Sequence, residues 1–105
     1  MGGNMAKMMK QVQKMQMDMA KTQEDLKTRT VESTAGGGVV KVVANGAQEV
    51  LSIEIKPEAV DPEDVEMLQD LILTAVNGAL DKAMEMVSSE MSKVTGSLKL
   101  PPGLF

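Results

Sequence analysis

The chain has 105 residues, which suffices for one domain with one hydrophobic core and leaves little room for a deep cofactor pocket. It contains no cysteine and no histidine, which excludes disulfides, thiolate metal sites and histidine-based acid–base catalysis. The net charge of −4 argues against a uniformly basic nucleic-acid binder, and eleven methionines beside one aromatic residue favour an adaptable interaction surface. We therefore expect a single domain over residues 1–105 that is not an enzyme and holds no metal, cofactor or small-molecule substrate.

The charges are unevenly distributed along the chain. Residues 1–31 carry six cations and three anions, a net charge of +3, whereas residues 32–105 carry five cations and twelve anions, a net charge of −7. Salt screening confines each field to about 8–10 Å at ordinary ionic strength. A basic N-terminal arm therefore keeps a local positive field beside an acidic body.

The first predicted element is a helix over residues 4–28, which contain neither proline nor glycine. Its apolar residues follow the 3.5-residue period that is typical of helix pairing. These residues, the heptad seam, are Met5, Met8, Val12, Met15, Met19 and Leu26. The heptad seam predicts contact with a partner helix in a homodimer. The alternative is a core helix that packs on the chain's own sheet.

Four lysines lie on the face of this helix opposite the heptad seam. They form the lysine stripe, Lys7, Lys10, Lys14 and Lys21. A linear row of cations matches the phosphates of duplex DNA, and the absence of arginine on this face predicts little reading of bases. A solvated face is one alternative. A membrane-surface helix is another, but the apolar side is a narrow seam without aromatic residues, so we expect no membrane partner.

Three short strands follow in the middle of the chain. They are predicted at residues 30–34, 39–44 and 49–55, joined as an antiparallel meander. The loop Gly36-Gly37-Gly38 lacks the Gly-Lys-Ser/Thr of a phosphate-binding loop and leads into a strand, which indicates a hairpin instead. Asn45-Gly46 predicts a second hairpin with a type I′ turn, in which both central residues have positive φ.

A long second helix is predicted over residues 61–94. Asp61 is the predicted N-cap and Pro62 the first helical residue. The acidic residues around this start are explained by capping, although a metal site is the alternative, and they lack the spacing of a calcium loop. Residues 96–105 form a predicted extended tail.

The second helix carries two apolar stripes, which suggests two buried faces. The first stripe is Val65, Leu68, Ile72, Ala75 and Ala79, and the second is Leu73, Val76, Leu80, Met84, Val87 and Met91. One face would cover the sheet and the other a second subunit. The element order of helix, three strands and helix predicts an α+β fold.

Several segments in this order resemble the YbaB/EbfC family of bacterial nucleoid-associated proteins. They are Met9-Lys10-Gln11, Gln13-Lys14-Met15-Gln16, Val31-Glu32, Ala35-Gly36-Gly37-Gly38-Val39-Val40-Lys41-Val42, Asn45-Gly46, Glu63-Asp64-Val65-Glu66-Met67-Leu68-Gln69-Asp70-Leu71, Ala75-Val76-Asn77 and Leu100-Pro101-Pro102-Gly103. Together they cover nearly the whole chain. The resemblance implies a tweezer-shaped homodimer in the cytoplasm and nucleoid that binds double-stranded DNA and alters its conformation, with consequences for gene expression.

A second hypothesis comes from a different class of function. The chain would be a dimeric interaction or scaffold module whose heptad seam and Leu-Pro-Pro tail contact another protein without direct DNA binding. Salt dependence separates the two hypotheses, because only binding to DNA phosphates requires a steep loss of affinity as salt rises.

Overall fold

The computed structural model describes residues 2–96, with side chains described from residue 4 onward. Two long helices flank a three-stranded antiparallel sheet of order β1-β2-β3, as the sequence predicts for an α+β fold. The elements are α1 (Gly2–Thr28), β1 (Thr30–Ala35), β2 (Val40–Asn45), β3 (Val50–Ile55), the short 3-10 helix Pro57–Ala59, and α2 (Val65–Gly96). The predicted tail lies outside the described residues, apart from Gly96, which ends α2.

The molecule is elongated. Its extents are 76 × 24 × 16 Å and its radius of gyration is 20.4 Å, against about 13 Å for a compact domain of this length. Both helices are long enough to explain this shape, because 27 and 32 residues span about 40 and 48 Å at 1.5 Å per residue.

The first hairpin joins β1 to β2 through the triple-glycine loop, as predicted. Gly36, Gly37 and Gly38 all have positive φ, at 63°, 72° and 96°, and this conformation is costly for residues with a Cβ. Ala35 pairs with Val40 across the turn. The three glycines therefore meet a backbone requirement of the hairpin.

The second hairpin differs from the predicted type I′ turn. Its positive φ of 62° belongs to Gln48, and the loop is closed by the side chain of Asn45. The Asn45 Oδ1 accepts the backbone N–H groups of Ala47 and Glu49 at 2.9 and 3.1 Å. Gly46 donates its N–H to the Leu26 carbonyl at 3.0 Å, and a Cβ there would overlap the Leu26 backbone. Asn45 therefore closes the loop with its side chain, and Gly46 allows the hairpin to approach α1 closely.

The second helix begins at Val65, so the prediction that it starts at Asp61 is wrong. Residues 61–64 form a turn in which the Asp64 N–H donates to the Asp61 carbonyl at 3.0 Å. The Asp61 Oδ1 accepts the Glu63 N–H within this turn, and Pro62 has the position where turns favour proline. Asp64 is the N-cap instead, because its Oδ1 accepts the Met67 N–H at 3.2 Å.

Replacing Asp64 with alanine is expected to lower the free energy of unfolding by about 1 kcal/mol, the usual cost of losing an N-cap. The matched control is Asp61→Ala, which removes the same side chain from the preceding turn and leaves the α2 cap intact. Urea unfolding followed by circular dichroism measures both. An equal or larger loss for Asp61→Ala would place the helix cap at Asp61 after all.

Small residues bring α2 close to the sheet. Ala75, Ala79 and Ala83 are fully buried, and the first two pack against Val40 and Val42 in the core. The approach is closest at Gly78, where an added Cβ would overlap Ser33 Oγ. Large side chains at these positions would hold the helix away from the strands.

The contact between Gly78 and Ser33 predicts a coupled pair of substitutions. Gly78→Ala is expected to cost about 1–3 kcal/mol of unfolding free energy, because the new methyl group overlaps the serine hydroxyl. Adding Ser33→Ala removes that hydroxyl, so the double variant recovers most of the loss, helped by the higher helix propensity of alanine. Denaturant unfolding of both single variants and the double variant measures the coupling. Additive losses would contradict the predicted contact.

Candidate nucleic-acid interface

All four residues of the lysine stripe are exposed on α1. At 100° per residue they lie within an arc of about 60° around the helix axis. The N-terminal part of α1 projects from the body, since every described side chain from Asn4 to Lys14 is exposed and Met15 is the first that is half-buried. We call residues 4–17 the tip. Lys7, Lys10 and Lys14 belong to it, whereas Lys21 lies nearer the body.

The lysine stripe differs from the other cations in its partners. Within residues 4–96, five cations have acidic or carbonyl partners: Lys27 with Glu24, Arg29 with Glu90, Lys41 with Glu32 and Glu54, Lys82 with the Glu32 carbonyl, and Lys93 with Glu90. The four stripe lysines and Lys56 have no such partner among the described residues. The stripe therefore presents charges that are free to meet phosphates.

The positive charge is concentrated at the tip. The first acidic residue of the chain is Asp18, so residues 4–17 carry three lysines and no carboxylate. Asp18 and Asp25 flank Lys21 on the same helical face, about 60° and 40° away from it. The potential around Lys21 is therefore weaker than the potential along the tip, a difference that the charge count over residues 1–31 does not show.

The C-terminal half of α1 fastens the helix to the body. Leu26 is 2% exposed, and its carbonyl accepts N–H groups from Arg29 and Gly46. The Arg29 guanidinium lies 3.4 Å from Glu90 on α2, and Lys93 lies 3.2 Å from the same carboxylate. These contacts set the direction in which the tip projects.

The pKa of Glu90 is lowered, chiefly by the hydrogen bond from Lys93, which outweighs the opposing effect of desolvation; the charge of Lys93 and the interactions with Arg29 add to the lowering. A lowered carboxyl pKa means that the ion pairs stabilise the fold above the ordinary pKa of glutamate. This contribution is lost as pH falls through the lowered value. The link between α1 and α2 is therefore intact at neutral pH.

The heptad seam divides into two parts in the structure. Met5, Met8 and Val12 are 69%, 54% and 41% exposed, whereas Met15 and Met19 are half-buried and Leu26 lies in the chain's own interior. The C-terminal part thus packs within the chain, and the N-terminal part is open. The role of the seam in a dimer stays a prediction.

A second apolar surface lies beside β3. Helix α2 contacts β1 and β2 extensively and β3 only slightly, so β3 is exposed along its whole length. Ile53 and Ile55 pair with Val42 and Val40 and therefore share the face of the sheet that α2 covers elsewhere. As predicted, α2 packs on one face of the sheet, but it lies over β1 and β2 because of its close approach to Ser33, and it leaves β3 open.

The second stripe of α2 borders the same open region. Lys82 reaches β1, and Leu73, Leu80 and Met84 lie about 160–180° around the helix from it, on the side of α2 turned away from β1. Leu73 and Met84 are each 60% exposed. We call this combined surface the apolar corner; its residues are Ile53, Ile55, Leu73, Leu80 and Met84.

Within residues 2–96, no helix is long and apolar enough to cross a membrane. The described acidic and other ligand-type residues form no group that could hold a metal ion. Of the acidic residues at the start of α2, Asp64 caps the helix and Asp61 closes the preceding turn.

A family model described as the YbaB/EbfC DNA-binding family matches residues 1–98. The chain belongs to this family. Family membership agrees with the resemblance seen in the sequence and with the arrangement of two long helices around a three-stranded sheet.

Curated relatives and one solved structure support the assignment. A nucleoid-associated protein of Pelotomaculum thermopropionicum is 73% identical over 105 residues, covering 100% of this chain and 99% of the relative. One of Desulforamulus reducens is also 73% identical with the same coverage. The crystal structure of an uncharacterized Helicobacter pylori protein, HP0035, has a TM-score of 0.62 at 26% identity and covers 74% of this chain and 90% of that one.

Proposed function

We propose that this protein is a nucleoid-associated protein that binds duplex DNA as a homodimer, with little sequence preference, and alters the conformation of the DNA. The observation that carries the proposal is the contrast in pairing. The stripe lysines have no acidic or carbonyl partner among the described residues, while four of the other six described cations pair with carboxylates and Lys82 donates to the Glu32 carbonyl. The membership of the chain in a DNA-binding family and the names of its relatives support the same conclusion.

The contacts expected from the stripe are contacts to phosphate. Lysine ammonium groups are compact point charges that neutralise phosphates and release counterions without reading base edges. The stripe contains no arginine to read base edges. The chain has a single aromatic residue, which is too few for binding by stacking on bases. Affinity should therefore differ little between unrelated duplexes.

The acidic body determines which part of the protein meets DNA. Residues 32–105 carry a net charge of −7, so the body repels phosphate while the tip attracts it. Lys7 lies about 12 Å along α1 from Met15, where the helix meets the body, and this distance exceeds a screening length of about 8–10 Å. Binding through projecting tips reconciles DNA binding with a net charge of −4.

The proposed dimer forms through the apolar corner. Ile53 and Ile55 are 45% and 37% exposed although they lie on the core face of the sheet, and Leu73 on α2 is 60% exposed. Apolar groups of this size are seldom left together on the surface of a monomer. A second copy related by a twofold axis covers them with the same surface. The dimer then presents eight stripe lysines.

The test of the proposal is a salt titration on two duplexes of unrelated sequence. If half of the eight lysines neutralise phosphates, the logarithm of the binding constant should fall with the logarithm of salt with a slope of about −3.6, and about −7 if all do. The two duplexes should give similar affinities. Absence of binding at low salt would contradict the proposal and favour the scaffold hypothesis.

A further inference from the structure

We propose that the tip of α1 pairs with the tip of a second copy, so that proposed dimers join one another and hold two duplexes together. This inference rests on the proposed function. The surface concerned is the N-terminal part of the heptad seam, Met5, Met8 and Val12, which the chain's own body leaves exposed. It is separate from the apolar corner, which lies on β3 and α2 of the body. Every described side chain from Asn4 to Lys14 is exposed and is not covered by the body.

The spacing of these residues identifies another helix as the partner. Met5, Met8, Val12 and Met15 occupy successive a and d positions of two heptads, and side chains at this period interlock with those of a facing helix. A broad apolar face would suit a membrane or a sheet. The narrow seam suits a helix with the same repeat.

The charges around the seam permit that partner to be an identical tip. The e and g positions that flank the seam are Asn4, Met9, Gln11 and Gln16. None of them is charged, so two copies would meet without like-charge repulsion across the interface. The first charged flanking residue is Asp18, where α1 has already reached the body.

The lysine stripe stays available when tips pair. Lys7, Lys10 and Lys14 lie about 150° around α1 from the seam residues. A pair of tips therefore presents lysines on two opposite outer sides, and each side can meet a separate duplex. This arrangement makes the tip contact a bridge between DNA segments.

The contact should be weak in solution and effective on DNA. Two heptads bury few side chains, so the contact is weak. Pairing does not have to induce helix formation, however, because the tip is already helical as part of the anchored α1. Dimers bound to the same or neighbouring duplexes hold their tips at high local concentration, which strengthens a weak contact without new interactions.

The experiment compares Met5→Gln/Met8→Gln with Met17→Gln, and Met5→Gln alone is matched to that control. Met5 and Met17 are exposed methionines of the same helix, at 69% and 72%, and neither change alters charge. Met5 and Met8 lie at a and d positions, whereas Met17 lies at an f position on the side of α1 away from the seam. Sedimentation at rising protein concentration measures association beyond the dimer, and capture of a fluorescent duplex by an immobilised one measures bridging.

The natural chain and the Met17→Gln variant should show reversible association beyond the dimer and should capture the second duplex. Met5→Gln/Met8→Gln should weaken both by about tenfold or more, because two apolar side chains leave the seam. Its affinity for a single duplex should not change, since all lysines remain.

Capture that persists in this variant overturns the inference, as does a variant that becomes monomeric, which would place the primary dimer contact at the tip. Binding of single duplexes without any capture by the natural chain overturns the inference and leaves the proposed function standing.

Discussion

Replacing Lys7, Lys10, Lys14 and Lys21 together with glutamine should abolish most DNA binding. The four lysines are exposed and lack acidic partners among the described residues, so their charge is available to phosphate. At low salt the binding constant should fall by about a hundredfold or more, and the salt slope should flatten toward zero. Fluorescence anisotropy on a short duplex at several salt concentrations measures both quantities.

The control for this variant uses lysines that are already paired. Lys27→Gln/Lys41→Gln/Lys93→Gln removes three charges whose partners are Glu24, Glu32, Glu54 and Glu90. It should leave the salt slope nearly unchanged. If the two variants lose affinity equally, net charge and not the stripe governs binding, and the stripe is a solvated helix face.

A gradient within the stripe is also expected. Lys7→Gln/Lys10→Gln/Lys14→Gln should account for nearly all of the loss, while Lys21→Gln alone should have a small effect. The reason is that Asp18 and Asp25 both offset the field of Lys21, whereas Lys14 has only Asp18 within four residues and Lys7 and Lys10 have no carboxylate that near. Equal effects per lysine would contradict the placement of the DNA contact at the tip.

Placing a charge in the apolar corner should convert the proposed dimer into a monomer. Ile53→Lys puts an ammonium group on the core face of β3, where the second copy would have to bury it without a partner. Association should weaken by about a hundredfold or more, and sedimentation should show the 11.2 kDa chain in place of its dimer. Thermal unfolding of the natural chain should depend on protein concentration, and that dependence should disappear in the variant.

The neighbouring residue on the same strand provides the control. Ser52 pairs with Val43 and lies on the opposite face of the sheet, so Ser52→Lys adds the same charge at the same strand outside the apolar corner. Its dimer should persist. A natural chain that sediments as 11.2 kDa at micromolar concentration, or equal effects of the two lysines, would refute the proposed interface.

Loss of the dimer should also weaken DNA binding, although Ile53 is far from the stripe in the sequence. A monomer offers four stripe lysines where the dimer offers eight, so the salt slope should be about halved. The Ile53→Lys variant thus connects the two halves of the proposed function. Full affinity in a monomeric variant would show that one tip suffices for DNA binding.

The sequence by itself established the elements and their order. Heptad spacing, the triple glycine and the β-branched residues of β2 are local signals, and the structure has a helix, a hairpin and a strand where they stand. The family followed from short segments in order along the chain. The lysine stripe was also visible, because helical periodicity alone places residues 7, 10, 14 and 21 on one face.

Only the tertiary structure decided which of these faces are covered. Asp61 and Asp64 are both suitable caps, and the turn closed between them selects Asp64. The position of α2 depends on its close approach to Ser33 at Gly78, a contact between residues 45 positions apart that no local pattern encodes. That approach leaves β3 open, and the anchoring of Leu26 leaves the tip free. Periodicity shows that a helix has an apolar face, but what covers the face depends on how distant elements pack.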